Sequence, residues 1–179
     1  MSLTYRYALT PKEFRRALYF DSFGKKLPQT LFLGAALIVA GTAAVANLFM
    51  GVTMTNVMQI CYIAIFAMLV LSIISCEMGY HNYKESPLHS CERSVVLSEE
   101  WVKFRISGDG ESEKYDWHEL EGAYETADAF YLYRNSQNVI ILPKRCADQE
   151  EVSLLLYVKL GSRFKKRCFK VAKSNCEVA

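Results

Sequence analysis

Hydrophobic and polar positions follow three different rhythms along the chain. From Leu27 to Ser75 no Asp, Glu, Lys or Arg occurs, and the apolar residues leave no polar face on a helix. Within that stretch, Leu31–Met50 and Val57–Cys76 are uncharged runs of twenty residues each. At about 1.5 Å per residue, each run spans about 30 Å, the hydrocarbon thickness of a bilayer. The segment between them, "GVTMTN", leaves room only for a tight turn. The pattern predicts a membrane hairpin over 27–78, with helices at about 30–50 and 57–76. It begins too far along the chain for a cleaved signal peptide, and a second run follows it.

Beyond the hairpin, "EMGYHNYKESPLHS" reads as a polar connector, and the rhythm then changes to a period of two. "SVVL" (94–97) is a short strand. "WVKFRIS" (101–107) puts Val102, Phe104 and Ile106 on one face and Lys103 and Arg105 on the other. "EKYDW" (113–117) returns after "GDG" with Tyr115 and Trp117 aligned. "GAYET" (122–126), "FYLYR" (130–134) and "NVIIL" (138–142) follow at turn-length intervals. In "NVIIL" the residues are apolar on both faces, so a helix or second sheet layer must cover it. Pro143 stops this strand, since it cannot donate to a ladder.

"DQEEVSLLLYVKLG" restores a helical period. Asp148 is placed as N-cap, Glu151 closes a capping box, Val152, Leu155 and Leu156 face inward, and Gly161 ends the helix. A seventh strand comes from Tyr5–Ala8, within the alternating "LTYRYAL", or from Leu88–Cys91. Near the N-terminus, "LTPKEF" carries Thr10 as N-cap, Pro11 at the first helical position and Glu13 three residues after the cap. The helix it opens, to about residue 23, sets Phe14, Ala17 and Leu18 against Lys12, Arg15 and Arg16. Such a helix lies either in the headgroup region or under the cytoplasmic domain.

The expected fold class is therefore a membrane α-helical hairpin plus an α+β cytoplasmic domain. The latter is a small antiparallel sheet or partly open barrel of about six to seven strands closed by a C-terminal helix, an order that fits a pleckstrin-homology-like module. Four parts follow: 1–26, a basic segment with the amphipathic helix; 27–78, the hairpin; 79–161, the cytoplasmic domain; and 162–179, a basic tail.

Charge sharpens the picture. Residues 1–26 carry six basic and two acidic side chains, residues 77–158 eight and sixteen, and residues 159–179 seven and one, within a net +2. An acidic domain thus lies between two basic ends. Anionic headgroups attract such ends by about 1 kcal/mol per residue, whereas the acidic domain argues against nucleic acid as a partner. The uncharged hairpin turn and the basic residues before the first helix place both termini in the cytoplasm by the positive-inside rule. Gly34, Gly41 and the alanines of the first helix allow close helix packing, and Asn47 and Gln59 suit an inter-helix hydrogen bond rather than an ion path. Six cysteines show no metal or disulfide spacing, which fits free thiols in a reducing cytoplasm.

The order and spacing of "YALTPKEF", the two apolar runs, "LSEEWVKFR", the Trp117–Leu120 step "WHEL", "ETADAFYLYRNSQNVIILPKR" and the acidic helix start resemble the YcxB-like family of small bacterial membrane proteins. The resemblance covers nearly the whole chain except the tail. It implies two transmembrane helices, a pleckstrin-homology-like cytoplasmic domain and a place in the bacterial cell membrane. It implies no chemistry.

The residues supply none either. GxSxG, HExxH, phosphate-binding and dinucleotide loops are all missing from the sequence. Asp109, Glu111 and Glu113 have calcium-loop spacing, but the twelfth position is Leu120. His81, His89, Cys91 and Cys76 match no familiar metal site, and His118 lacks a nucleophile beside it in the sequence. The reading is of a non-enzyme with no catalytic residue, cofactor or metal. The candidate contacts for an anionic lipid or partner are Lys144 and Arg145, before the last helix, and Arg163, Lys165, Lys166 and Arg167 in the tail. Cations before a helix start oppose its dipole, so helix stability does not account for Lys144 and Arg145. They pair with Glu125, Asp148 or Glu150, or they face an anionic surface. Two functions compete: a membrane-anchored binding or scaffold domain for a protein partner, and a sensor of anionic headgroups.

Overall fold

The structure, a computed structural model, describes residues 2–25, 27–50, 56–87, 90–107, 112–135 and 138–167. The chain divides into two compact units, residues 1–17 with 84–179, and residues 18–83. The hairpin turn, the 108–111 turn, residues 88–89 of the alternative seventh strand and the chain after 167 lie outside the described residues.

The first unit is α+β and holds two four-stranded sheets. In one sheet the order is β1 (Ser2–Ala8), β2 (Glu92–Ser98), β3 (Trp101–Ile106), β4 (Ser112–Asp116), all antiparallel. The strand expected at Tyr5–Ala8 is therefore present and longer, with Tyr5 opposite Val95. In the other sheet the order is β7 (Val139–Pro143), β6 (Ala129–Tyr133), β5 (Gly122–Glu125), β8 (Phe164–Lys166). Only β8 runs parallel to its neighbour, β5.

This corrects two expectations. Among the described residues the unit has eight strands in two sheets rather than six or seven in one. The sheet also continues past Gly161, where the basic tail was expected to start. A three-residue strand, "FKK", carries too little pattern to be seen in sequence. Its pairing is set by a neighbour some forty residues earlier, Ala123 opposite Phe164.

Inward alternation builds the core as the period-two rhythm requires. Val95, Leu97 and Val102 come from the first sheet, and Phe130, Leu132 and Leu142 from the second; all are fully buried. The Tyr7 hydroxyl joins the sheets by donating to the Ile141 carbonyl. Trp117, in a 3-10 turn just past β4, donates from Nε1 to Ser98 O at 3.0 Å and closes the β2–β3 turn.

The α1 helix (Pro11–Tyr19) starts on the expected capping box. Glu13 N–H donates to Thr10 Oγ1 at 3.3 Å, and Thr10 N–H donates to Glu13 Oε2 at 2.9 Å. Its first part belongs to the sheet unit, where Arg16 pairs with Asp128 at 2.9 Å. The α4 helix (Gln149–Leu160) packs on β5, β8 and the Trp117 turn. Asp148 caps it by accepting from Glu150 N and Glu151 N. Gly161, at φ +52°, ends it with a bond from its N–H to Tyr157 O. Val152, Ser153, Leu156 and Leu160 are its buried residues. Leu155, expected inward, is half-buried, and Ser153 takes an inward place instead.

Gly122 permits the close approach of β8. A Cβ there would sit 2.7 Å from Arg163 O, a backbone atom that cannot swing aside. Gly122→Ala should therefore destabilise the full-length chain by about 1–3 kcal/mol, read as a lower urea midpoint, and a neutral result would contradict this packing.

In the second unit, α1 ends and a π-turn (Phe20–Gly24) leads to α2 (Leu27–Met50) and α3 (Asn56–Glu85). The connector expected after residue 76 is helical to Glu85. No helix breaker precedes Pro87, which disfavours helix at Ser86. Gly79 lets Leu18 pack closely, with Leu18 Cδ1 3.3 Å from where a Cβ would lie. Among the described residues one helix, Gln59–Glu85, is long and apolar enough to cross a membrane, and Gln29–Thr42 is a shorter apolar helix. Large apolar side chains on both point outward, including Phe32, Ile38, Ile60, Ile63, Phe66 and Leu71.

Candidate functional site

The strand ends of the second sheet bring charged side chains together out of water. Glu125 closes β5, and Lys144 opens the 3-10 turn after β7, positioned by its N–H bond to Asp128 O at 2.9 Å. Lys144 crosses the ring of Phe130, 5.1 Å from its centroid, and reaches Glu125 Oε1 at 2.8 Å. Both side chains are nearly buried, at 9% and 10% exposure. The other oxygen, Oε2, accepts from Ser153 Oγ of α4 at 3.1 Å and lies 3.4 Å from Lys166 of β8, whose side chain is 62% exposed.

Burial pushes the Glu125 carboxyl upward, but the Lys144 bond and charge, Lys166 and Ser153 outweigh it, so the group stays below its ordinary 4.5. Glu125 thus ties β5, β7, β8 and α4 together. Ser153 Oγ donates to a carboxylate that two ammonium groups already hold ionised. The cluster is an ion lock.

Arg145 is anchored elsewhere. Its Nε donates to Glu13 Oε1 at 2.7 Å and its Nη2 to Ala8 O at 2.7 Å, so it clamps the corner between β1 and α1. Burial opposes ionisation of Glu13, yet Arg145 and the Thr10 bonds keep its carboxyl below 4.5 as well. Arg163 Nη1 donates to Leu120 O at 2.7 Å and His118 O at 3.3 Å. Lys165 is exposed on β8, opposite Tyr124. Arg167 N–H donates to Glu125 O at 2.7 Å.

The six basic residues singled out in the sequence therefore occupy several places. Lys144 and Lys166 meet on one carboxylate, Arg145 meets another, and Arg163 caps carbonyls. Glu125 was among the expected partners; Glu13 and Ser153 were not. A polar Ser153 beside inward-facing Val152 was the readable sign of a buried acceptor nearby. Glu13 lies 132 residues from Arg145, and nothing local marks the pair.

Beside the ion lock, α4 exposes Leu154, Tyr157 and Val158 at 65%, 64% and 66%. A cavity of about 550 Å³ on one side is lined by Glu125, Glu150, Ser153, Leu154, Tyr157 and Lys166. On the other side, one of about 430 Å³ is lined by Leu3, Glu99, Glu151, Leu154, Leu155 and Val158, with Lys159 at its edge. Asp116, His118 and Glu119 bring ligand atoms within 4.8 Å of one another, but all three are exposed.

No curated protein and no solved structure matches the chain significantly. The family model described as YcxB-like protein matches residues 97–157, from the end of β2 into α4. This segment holds the β5–β7 core, Glu125, Lys144 and Ser153, and it is the part of the chain that is similar to that family.

Proposed function

We propose that the chain is a non-enzymatic, two-pass membrane protein that presents a pleckstrin-homology-like domain to a protein partner on the cytoplasmic side. The observation that carries the binding role is the outer face of α4. Leu154, Tyr157 and Val158 stand side by side and exposed between two cavities, where a helix of a monomeric domain ordinarily turns polar residues to water. Asp148, Glu150, Glu151 and Glu99 line or flank the patch, against Lys159 and Lys166. An apolar segment of a partner with basic flanking residues is complementary to it.

The anchoring role has separate support. The β1 and β2 strands share a sheet although the uncharged stretch 27–75 lies between them. A segment that leaves and rejoins one sheet crosses a bilayer an even number of times, which favours a hairpin of α2 and α3. The outward-facing apolar side chains of both helices fit that reading.

Headgroup sensing through Lys144 and Arg145 is the weaker alternative. It would have to break the Lys144–Glu125 and Arg145–Glu13 pairs, depriving two largely buried carboxylates of their nearest cations.

The test is site-specific photocrosslinking from position 154, with position 105 on β3 as control, using the full-length chain in its own membranes. A discrete protein adduct at 154 and none at 105 is expected. Once that protein is purified, its affinity for the chain in nanodiscs should fall about tenfold or more with Leu154→Asp and Val158→Asp combined. Adducts to lipid alone, or affinity indifferent to the double substitution, would overturn the proposal.

A further inference from the structure

The second sheet ends beside an open cavity on α4. After Gly161 the chain turns back, and β8 carries it toward the start of that helix, where Lys166 and Ser153 meet on the Glu125 carboxylate. The cavity of about 550 Å³ lies at this place, with Gln149, Glu150, Leu154 and Tyr157 on the helix side and Glu125 and Lys166 on the sheet side. Arg167, the last described residue, donates from its N–H to Glu125 O at 2.7 Å. The chain therefore leaves the sheet at the edge of the cavity.

The residues that follow have the chemistry the cavity fits. Residues 168–179 carry Phe169 and Val171 among Lys170 and Lys173, with Glu177 as their one carboxylate. The α4 wall offers two large exposed side chains, Leu154 and Tyr157, and the acidic Glu150. An extended chain covers at most about 3.6 Å per residue, so the Phe169 Cα is never more than about 7 Å from that of Arg167. A segment tethered this closely is presented at effective concentrations on the order of mM, so even a contact of mM affinity is filled about half of the time.

We propose that residues 168–173 dock in this cavity, with the Phe169 ring against Leu154 and Tyr157 and the Lys170 ammonium against Glu150. Covering an aromatic ring and two exposed apolar side chains drives the contact, and opposite charge sets its direction. A basic tail is also drawn to an anionic membrane surface, but the first cation of this run, Lys166, lies 3.4 Å from Glu125 Oε2 at the cavity itself. On the reading that the α4 face receives a protein partner, the docked tail competes for Leu154 and Tyr157 and holds the face partly closed.

The docking is tested with the full-length chain in phosphatidylcholine nanodiscs, one copy per disc and no other protein, carrying a photocrosslinking residue at position 157. Irradiation should give an adduct that migrates as the monomer and maps to residues 168–173. Combined Phe169→Asp and Lys170→Glu, which leave the β5–β8 ladder untouched, should cut its yield about fivefold or more. Adducts to lipid alone or to other parts of the chain, or a yield indifferent to the two substitutions, overturn the docking. The competition is read separately in the native membranes. There the same substitutions should raise the yield of the protein adduct from position 154 about two- to tenfold, because they return the binding-competent fraction. An unchanged yield overturns the competition. If no protein adduct forms at 154 with either tail, the partner reading falls and the competition with it, whereas the docking is decided by the adduct from 157.

Discussion

Replacing Lys144 by Met in the full-length chain is expected to lower its unfolding free energy by about 3 kcal/mol, the low end of the range for breaking a buried ion pair. The substitution keeps the stem that crosses Phe130 but leaves the Glu125 carboxylate with Ser153 and the half-solvated Lys166. That remaining support keeps the loss from the top of the range. Combined Lys144→Met and Glu125→Leu should recover most of it, because a well-packed apolar pair avoids desolvating two charges. Urea midpoints followed by Trp101 and Trp117 fluorescence give the cycle, and a single-variant loss below about 1 kcal/mol would contradict the lock.

The sign with pH follows from the depressed carboxyls. Glu13 and Glu125 lie below 4.5 in the folded state, so their contribution is complete above 4.5 and is lost as pH falls through their folded values. The parent chain should weaken as pH drops below about 4.5. The Lys144→Met chain should weaken less over the same window, because the Lys144 ammonium no longer opposes the effect of burial at Glu125.

Phe130→Ala is expected to cost about 3–5 kcal/mol, as large as any single truncation in the sheet unit. Phe130 is fully buried on β6, between β5 and β7, opposite Glu125 on one side and Leu142 on the other. A cavity there cannot collapse easily, because both flanking strands are held by ladder bonds. The ring is also the wall that Lys144 crosses, so Phe130→Ala and Lys144→Met should not add. Phe130→Leu, which keeps most of the volume, should lose much less. A loss under about 2 kcal/mol for Phe130→Ala would place the centre of the core elsewhere.

Much of this was legible in the residues. Alternation at Val95–Leu97 and Val102–Ile106 marked strands, the double-faced "VIIL" marked a covered one, and Thr10 and Asp148 marked both helix starts. All of these signals are local and follow from side-chain period or capping chemistry. The missing parts depend on distant pairing. The β8 strand is short and charged, and only its neighbour β5 makes it a strand. Arg145 looked like half of a basic pair beside Lys144, yet the two diverge to carboxylates on different elements. Arg93 lies just before the strand expected at 94–97 and belongs to β2. The β1 pairing fixes the register that turns it inward, with Tyr7 opposite Arg93.

The pairing of β1 with β2 also sets a timetable for making the protein. The ribosome delivers Tyr5 about 90 residues before its partner Val95, an interval of roughly 5–18 s at common rates of synthesis. If the uncharged stretch inserts as the proposed hairpin, all of it emerges during that wait, and the sheet closes only after its insertion is decided. A chain threaded an odd number of times would strand β1 and β2 on opposite sides, leaving β2 as a bare edge open to misassociation or proteolysis. In the proposed hairpin, completion of the sheet thereby serves as a proofreading step on insertion, and β1 is the strand that registers the result.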